Sequence, residues 1–351
     1  MARAGNRWKM LVGVALSVLF LWVAFRKVDV HRMQEAFREA DYWYLLPGVA
    51  VLFVAHWLRA LRWRYLLDPI KRVHVWPLFS ALMVGYFANT LLPAHLGELV
   101  RAYVIGRREK ISGSAAFATI ALERVIDMLS LLLITALTLT LKPFPRTVAI
   151  PDEVTTSGYL MFLATALLFA FLLFLKMRTE IALRLVGLPL RPLGRRLAER
   201  GQRLLRDFVT GLVPLARPSD YLVVALTSGL VWAGYLVNLY CVILAFGLSA
   251  YGVGLSAALV VLVITTISIV VPSSPGYVGT YHYLAVLSLS LFGVDKSTAL
   301  SFAVVAHATA VLTVTLVGMA CAWKEGVTIT TMSHREELAA AGQSATEVAK
   351  G

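Results

Sequence analysis

The chain alternates long apolar stretches with short polar ones from end to end. Behind a basic flank of Arg3, Arg7 and Lys9, an apolar run covers Met10 to Phe25. Further runs lie at 44–66, 114–141, 158–176, 220–246 and 298–323. Each is near the roughly 20 residues of helix that the hydrocarbon core of a bilayer demands. Two other stretches are interrupted: residues 78–107 break at Pro93, and residues 255–292 break at "PSSPGYVG", 272–279. The pieces flanking each break are short for a full crossing, and the breaks carry helix stoppers. A hairpin that enters and leaves on one side suits both, since irregular backbone at membrane depth must be enclosed by protein. The pattern predicts an all-α polytopic membrane protein with about six full transmembrane helices and two re-entrant helical hairpins. The first run has no small-x-small cleavage site after it and reads as an uncleaved helix, not a signal peptide.

Composition sharpens this reading. With 59% hydrophobic residues, 15% charged and a mean hydropathy of +0.75, the chain carries more apolar surface than a soluble core absorbs. The net charge of +13 is gathered in short stretches between the apolar runs, which favours membrane topology and anionic inner-leaflet lipids as partners over nucleic acid. If the hairpins do not cross, residues 67–77, 101–112 and 177–217 share the cytoplasmic side, and in the last of these arginines far outnumber acids. Residues 26–43, 142–157, 247–253 and 293–297 fall outside, where basic and acidic residues balance. The positive-inside rule then places both termini in the cytoplasm and the protein in the cell inner (cytoplasmic) membrane. Cys241 and Cys321 lie within apolar runs and read as packing residues.

The two interrupted stretches align. "LPAHLGE" (92–98) matches "SPGYVGT" (274–280), pairing Pro93 with Pro275 and Gly97 with Gly279; "FATIA" (117–121) matches "FAVVA" (302–306), and "AHWLRAL" (55–61) faces "AGYLVNL" (233–239). Three crossings separate the starts of the units, so the second is inverted relative to the first. This gives one domain over 1–324, with repeat one at about 41–141, repeat two at about 219–323, a basic cytoplasmic loop at 177–217 and a polar, disordered cytoplasmic tail expected at 325–351. In inverted repeats, substrate sites lie where interrupted helices meet. The arm that starts in mid-membrane presents free N–H groups and a positive dipole end, which favour an anion.

Charge within the apolar runs marks the candidate site. His95, Glu98 and Arg101 advance three at a time along one helical face. The 44–66 helix carries His56, Arg59, Arg62 and Arg64, and the 114–141 helix carries Glu123, Arg124 and Asp127. Each such charge facing lipid would cost a few kcal/mol, so they should pair or line water. The alternatives are a structural Arg124–Asp127 pair and, for Arg59, Arg62 and above all Arg64, snorkelling to lipid phosphates. Leu197, Gly201, Leu204, Leu205, Phe208 and Leu212 recur at helical spacing among arginines, as in a helix lying on an anionic leaflet or a linker that only fixes topology. There is no Walker A loop, no HExxH and no GxSxG. His95 with Glu98 supplies at most half a metal site, so neither metal nor cofactor is assigned.

The stretch "NTLLPAHLGELVRAYVIGRREKISGSAAFATIALERVIDMLSLL" (89–132), with "RALRW" (59–63) and "PSSPGYVGTYHY" (272–283), resembles the flippase-like family of lysylphosphatidylglycerol synthase transmembrane regions. The resemblance implies translocation of a lipid between leaflets, with Glu98, Arg101, Glu123, Arg124 and Asp127 at polar family positions. The aminoacyltransferase domain of the bifunctional synthases is not represented in the 324–351 tail. The expected substrate-binding residues are Arg59, Arg62, Asn89, His95, Glu98, Arg101, Glu123, Arg124, Asp127, Ser273, Ser274, Gly276, Gly279 and His282. The breaks are formed by Pro93, Gly97, Pro272 and Pro275. A phosphate-bearing head group would be held by arginines while acyl chains stay in lipid. An intramembrane lipid transferase or phosphatase, or a scaffold for envelope-lipid synthesis, is the alternative; a homo-oligomer or a lipid-synthesis enzyme is open as a partner.

Overall fold

The computed structural model describes residues 18–26, 28–92, 96–141, 152–190, 195–212, 215, 217–269 and 275–327. Every regular element among them is helical. A helical stretch at 18–25 (α1) is followed by α2 (Val30–Glu39), α3 (Leu45–Leu67), α4 (Val75–Leu91), α5 (Gly97–Glu109), α6 (Gly113–Leu141) and α7 (Asp152–Met177). Then come α8 (Thr179–Leu190), α9 (Arg195–Gly211), α10 (Pro218–Ala245), α11 (Leu255–Thr266), α12 (Thr280–Ser290) and α13 (Lys296–Lys324). Of these, α10, α13 and α3 with its short 3₁₀ lead-in are long and apolar enough, by length and composition, to cross a membrane. The basic 177–217 segment forms two helices, α8 and α9, where periodicity showed only the second; α9 packs on α6 and on α8.

Much of the outer surface is apolar. Leu222, Leu226 and Leu230 recur every four residues on the exposed side of α10, as do Leu129, Leu133, Leu137 and Leu141 on α6. A soluble monomer does not leave stripes of this extent in water.

Local chemistry sets where the short helices stop. The residue before a proline is pushed out of the helical region, and Leu92, before Pro93, ends α4 with φ −100° and ψ 140°. The second arm is fastened back onto the first, because the Gly97 N–H donates to Asn89 Oδ1 at 2.8 Å. Position 97 has to be glycine: a Cβ there would collide with the Gly85 carbonyl oxygen and the Asn89 side chain. At 1.5 Å per residue, α4 and α5 span roughly 25 Å and 20 Å, each less than a hydrocarbon core of about 30 Å. The second interrupted stretch has α11, a 3₁₀ turn at Ile267–Ile269, another turn at Pro275–Tyr277 and then α12. Gly276 and Gly279 turn the chain there with φ 71° and 91°. Pro93, His95, Pro272, Ser273 and Ser274 lie outside the described residues, and Pro275 is described by its backbone alone.

The packing pairs elements across the two halves. α3 lies against α10, α4 against α13, and α11 against α6. Close approach of α4 and α13 depends on Gly318, whose Cβ would strike the Met83 carbonyl. Two sets of helix ends are tied at opposite poles. At one, Lys71 bonds Glu109, and Glu325 accepts from Ser80 at 2.7 Å and pairs with Arg108. Glu325, assigned by the sequence to the tail, is thus anchored to α4 and α5. At the other, Lys296 donates to the carbonyls of Val23 and Arg26, Asp29 N–H donates to Ser297, and Asp41 N–H donates to the Ala245 carbonyl.

Candidate functional site: a buried arginine–carboxylate network

Charges from α3, α5 and α6 meet inside the molecule. Glu123 lies ten residues into α6, about 15 Å from its start at 1.5 Å per residue, and is fully buried. Its Oε1 accepts from Arg59 Nε at 2.8 Å, from Arg124 at 3.3 Å and from Arg62 at 3.4 Å, and its Oε2 accepts from Arg101 at 2.7 Å. Asp127, one turn further on, accepts from Arg62 at 2.6 Å, pairs with Arg124 at 3.2 Å and is bonded by Arg59. Glu98, in the first turn of α5, reaches Arg124 at 3.8 Å. Four guanidinium groups (Arg59, Arg62, Arg101, Arg124) therefore face three carboxylates (Glu98, Glu123, Asp127), leaving one positive charge uncompensated.

The sequence places these groups by simple spacing. Arg59 and Arg62 are three apart on α3, and Glu123 and Asp127 four apart on α6, so each pair shares a face and the two faces meet. Arg101 enters from α5, with Cζ 3.6 Å from the Trp63 ring centroid, and Trp63 Nε1 donates to Thr119 at 2.9 Å. A guanidinium stacked on an aromatic face is held in one orientation at low solvation cost. Arg62 also donates to Ser228 on α10 at 3.0 Å, and Arg59 to the Tyr235 hydroxyl at 3.2 Å. Donor capacity is left over: Arg101 Nε and NH1, Arg62 Nε and Arg124 Nε are buried without a hydrogen-bond partner. Arg64, by contrast, is exposed.

The second break builds a different chemistry beside the first. The Pro275–Tyr277 turn packs on α4, and the Tyr277 hydroxyl lies within electrostatic reach of Glu98 and Arg124. His307 of α13 donates from Nε2 to the Gly276 carbonyl at 2.7 Å. Its ring stacks on Tyr281 and stands edge-on to His282, both at 4.9 Å between centroids, while His282 Nδ1 accepts weakly from Gly279 N–H at 3.4 Å. Thr280 is buried with its hydroxyl unpartnered. Among the described residues, no three His, Cys, Asp or Glu side chains are grouped to hold a metal ion.

Of the expected site residues, Arg59, Arg62, Arg101, Glu123, Arg124 and Asp127 come together in the network, Glu98 at its edge and Asn89 at the hairpin. Gly276, Gly279 and His282 lie in the second cluster. Trp63, Ser228, Tyr235, Tyr277 and His307 were not singled out from the sequence. His307 carried a legible signal: in the alignment of "FATIA" with "FAVVA" it stands one residue before Ala308, the counterpart of Glu123.

The stretch of chain that carries this network falls within a known family model. The model of the lysylphosphatidylglycerol synthase TM region matches residues 10–318. The chain belongs to this family. It is accordingly a multi-pass membrane protein. UPF0104 membrane proteins of Methanothermobacter thermautotrophicus and Archaeoglobus fulgidus are both 25% identical to it, over 83% and 77% of this chain and 88% and 83% of their own. Glycosyltransferase AglD of Haloferax volcanii is 32% identical over 131 residues, 37% of this chain and 21% of that protein. No solved structure matches the chain.

Proposed function

We propose that this protein translocates an anionic or phosphate-bearing membrane lipid across the cytoplasmic membrane, by alternating access between two inverted repeats. The carrying observation is the uncompensated positive charge of the buried network, with unpartnered guanidinium N–H groups beside a helix break. An uncompensated charge inside a membrane protein is costly unless a ligand answers it. A phosphate accepts several hydrogen bonds and suits the planar fork of arginine. Arg101, with Arg59 or Arg62, would hold the head group through the unpartnered guanidinium N–H groups while its acyl chains remain in lipid.

Packing supports the repeat. α4 rests on α13 and α11 rests on α6, which is the exchange of partners that a two-fold relation between the halves requires. The shortness of α4, α5, α11 and α12 supports two re-entrant hairpins beside about six crossings. The ties between 41 and 245 at one pole, and between 108 and 325 at the other, agree with the sides assigned by charge. The family is named for a phospholipid synthase and one relative for a glycosyltransferase. A membrane region common to two such different transferases is better explained by a shared handling of lipid than by one shared chemistry.

The test is leaflet transfer of a fluorescent anionic phospholipid in vesicles reconstituted with the pure protein. Arg101→Ala should reduce transfer to the protein-free rate while the helical content in detergent stays that of the parent. Transfer at the parental rate would remove Arg101 from the site, and covalent change of the lipid would favour an intramembrane enzyme.

A further inference from the structure

Away from the network, α5, the α5–α6 turn and α9 enclose a cavity of about 540 Å³. Its walls are Leu99, Ala102 and Tyr103 of α5, Ser112 to Ser114 and Phe117 across the turn, and Leu204, Leu205 and Phe208 of α9. That size is within the range of small-ligand sites, about 300–1,000 Å³. The cavity is open at one edge, where Leu99 and Leu204 are 51% and 52% exposed. An open apolar furrow of this kind suits an acyl chain.

Charge on the helices that form it selects among lipids. Arg107 stands one turn beyond Tyr103 on the same side of α5, and Arg203 precedes Leu204 on α9. Both are exposed, and neither is in an ion pair among the described residues. Two of the neighbouring acids are engaged: Asp207 accepts from Ser112 and Glu109 is bonded to Lys71. Apolar walls with exposed guanidinium groups on the two helices that form them match an amphiphile with an anionic head.

We propose that this furrow is a binding site for one acyl chain of an anionic phospholipid of the leaflet facing the α5–α6 turn, with its head group on Arg107 and Arg203. The site is separate from the arginine–carboxylate network and does not depend on that network transporting anything. The bound lipid clamps α9, the connector between the two halves, to α5.

The experiment uses the full-length protein in vesicles containing a phosphatidylglycerol with a photoreactive group on one acyl chain, and peptide mass spectrometry to locate the label. Label should concentrate on 99–117 and 204–208, and unlabelled phosphatidylglycerol should compete at least tenfold better than phosphatidylcholine. Gly113→Phe fills the furrow from a position with room for a Cβ, and should cut that labelling at least fivefold without changing the unfolding temperature. Arg107→Gln with Arg203→Gln should abolish the preference for phosphatidylglycerol. Labelling spread evenly over the apolar belt, labelling unaffected by Gly113→Phe, equal competition by both lipids, or cross-links between two copies of the chain would each overturn the proposal. Leaflet transfer is read separately, so a failure here leaves the network untouched.

Discussion

The two interrupted stretches occupy matching places in their halves, yet they are chemically unlike. The first meets four arginines and three carboxylates; the second meets His282, His307, Tyr281 and Tyr277, none of them permanently charged. The backbone is interrupted in both, but the means differ. Around Gly97 the arms are clamped together by Asn89 and by glycine contact. Around Gly276 the chain turns through left-handed residues, and an imidazole on another helix holds its carbonyl. Of the two helix breaks, only the first gathers charge among the described residues. The two breaks differ because side chains, not backbone, decide what gathers around them.

Breaking the charged half should have the largest effect. Glu123→Ala leaves buried guanidinium groups facing only Asp127 and Glu98, and loss of one partner from such a cluster costs about 3–5 kcal/mol. Thermal unfolding in detergent should show this, whereas Ala308→Ser, at the matching place in the second half, should shift unfolding little. Gly97→Ala should come next: overpacking a tight crossing costs about 1–3 kcal/mol, and the same assay should show Gly113→Ala to be neutral. His307→Phe keeps the ring stack but removes the bond to Gly276, for about 1 kcal/mol.

The smallest effect concerns a helix end outside both breaks. Burial works to raise the Asp295 carboxyl, but hydrogen bonds from Thr298 and Ser297 and the charge of Arg32 hold it below the usual aspartate value. A depressed carboxyl contributes stability above its unfolded value, near 3.9, and loses it as pH falls. Asp295→Ala should cost about 1 kcal/mol at neutral pH. Unfolding measured at successively lower pH should show that difference shrinking below about pH 4.

How much of this was legible depends on which force acts. Helix positions follow from apolar length and stoppers, so the 44–66 and 298–323 runs fall within a few residues of α3 and α13. The charges were visible for the same reason: an arginine such as Arg62, in an apolar run, demands a partner. Which partner was not visible. The triplet spacing of 95, 98 and 101 gave Glu98 a central place, but the hub is Glu123, because α3 and α5 converge on the face of α6 that carries it. That convergence is a tertiary fact that no local period encodes. Trp63 and Tyr235 escaped notice because aromatic residues in apolar runs usually pack in cores, and α8 because its apolar face is short and shares a basic loop.

The most direct test asks where phosphate sits. Native mass spectrometry of the protein released from membranes should show the same number of retained phosphate-bearing lipids with the parent and with His282→Ala, and one fewer with Arg101→Gln. Retention by Arg101→Gln together with loss by His282→Ala would place the head group at the second break and contradict the account.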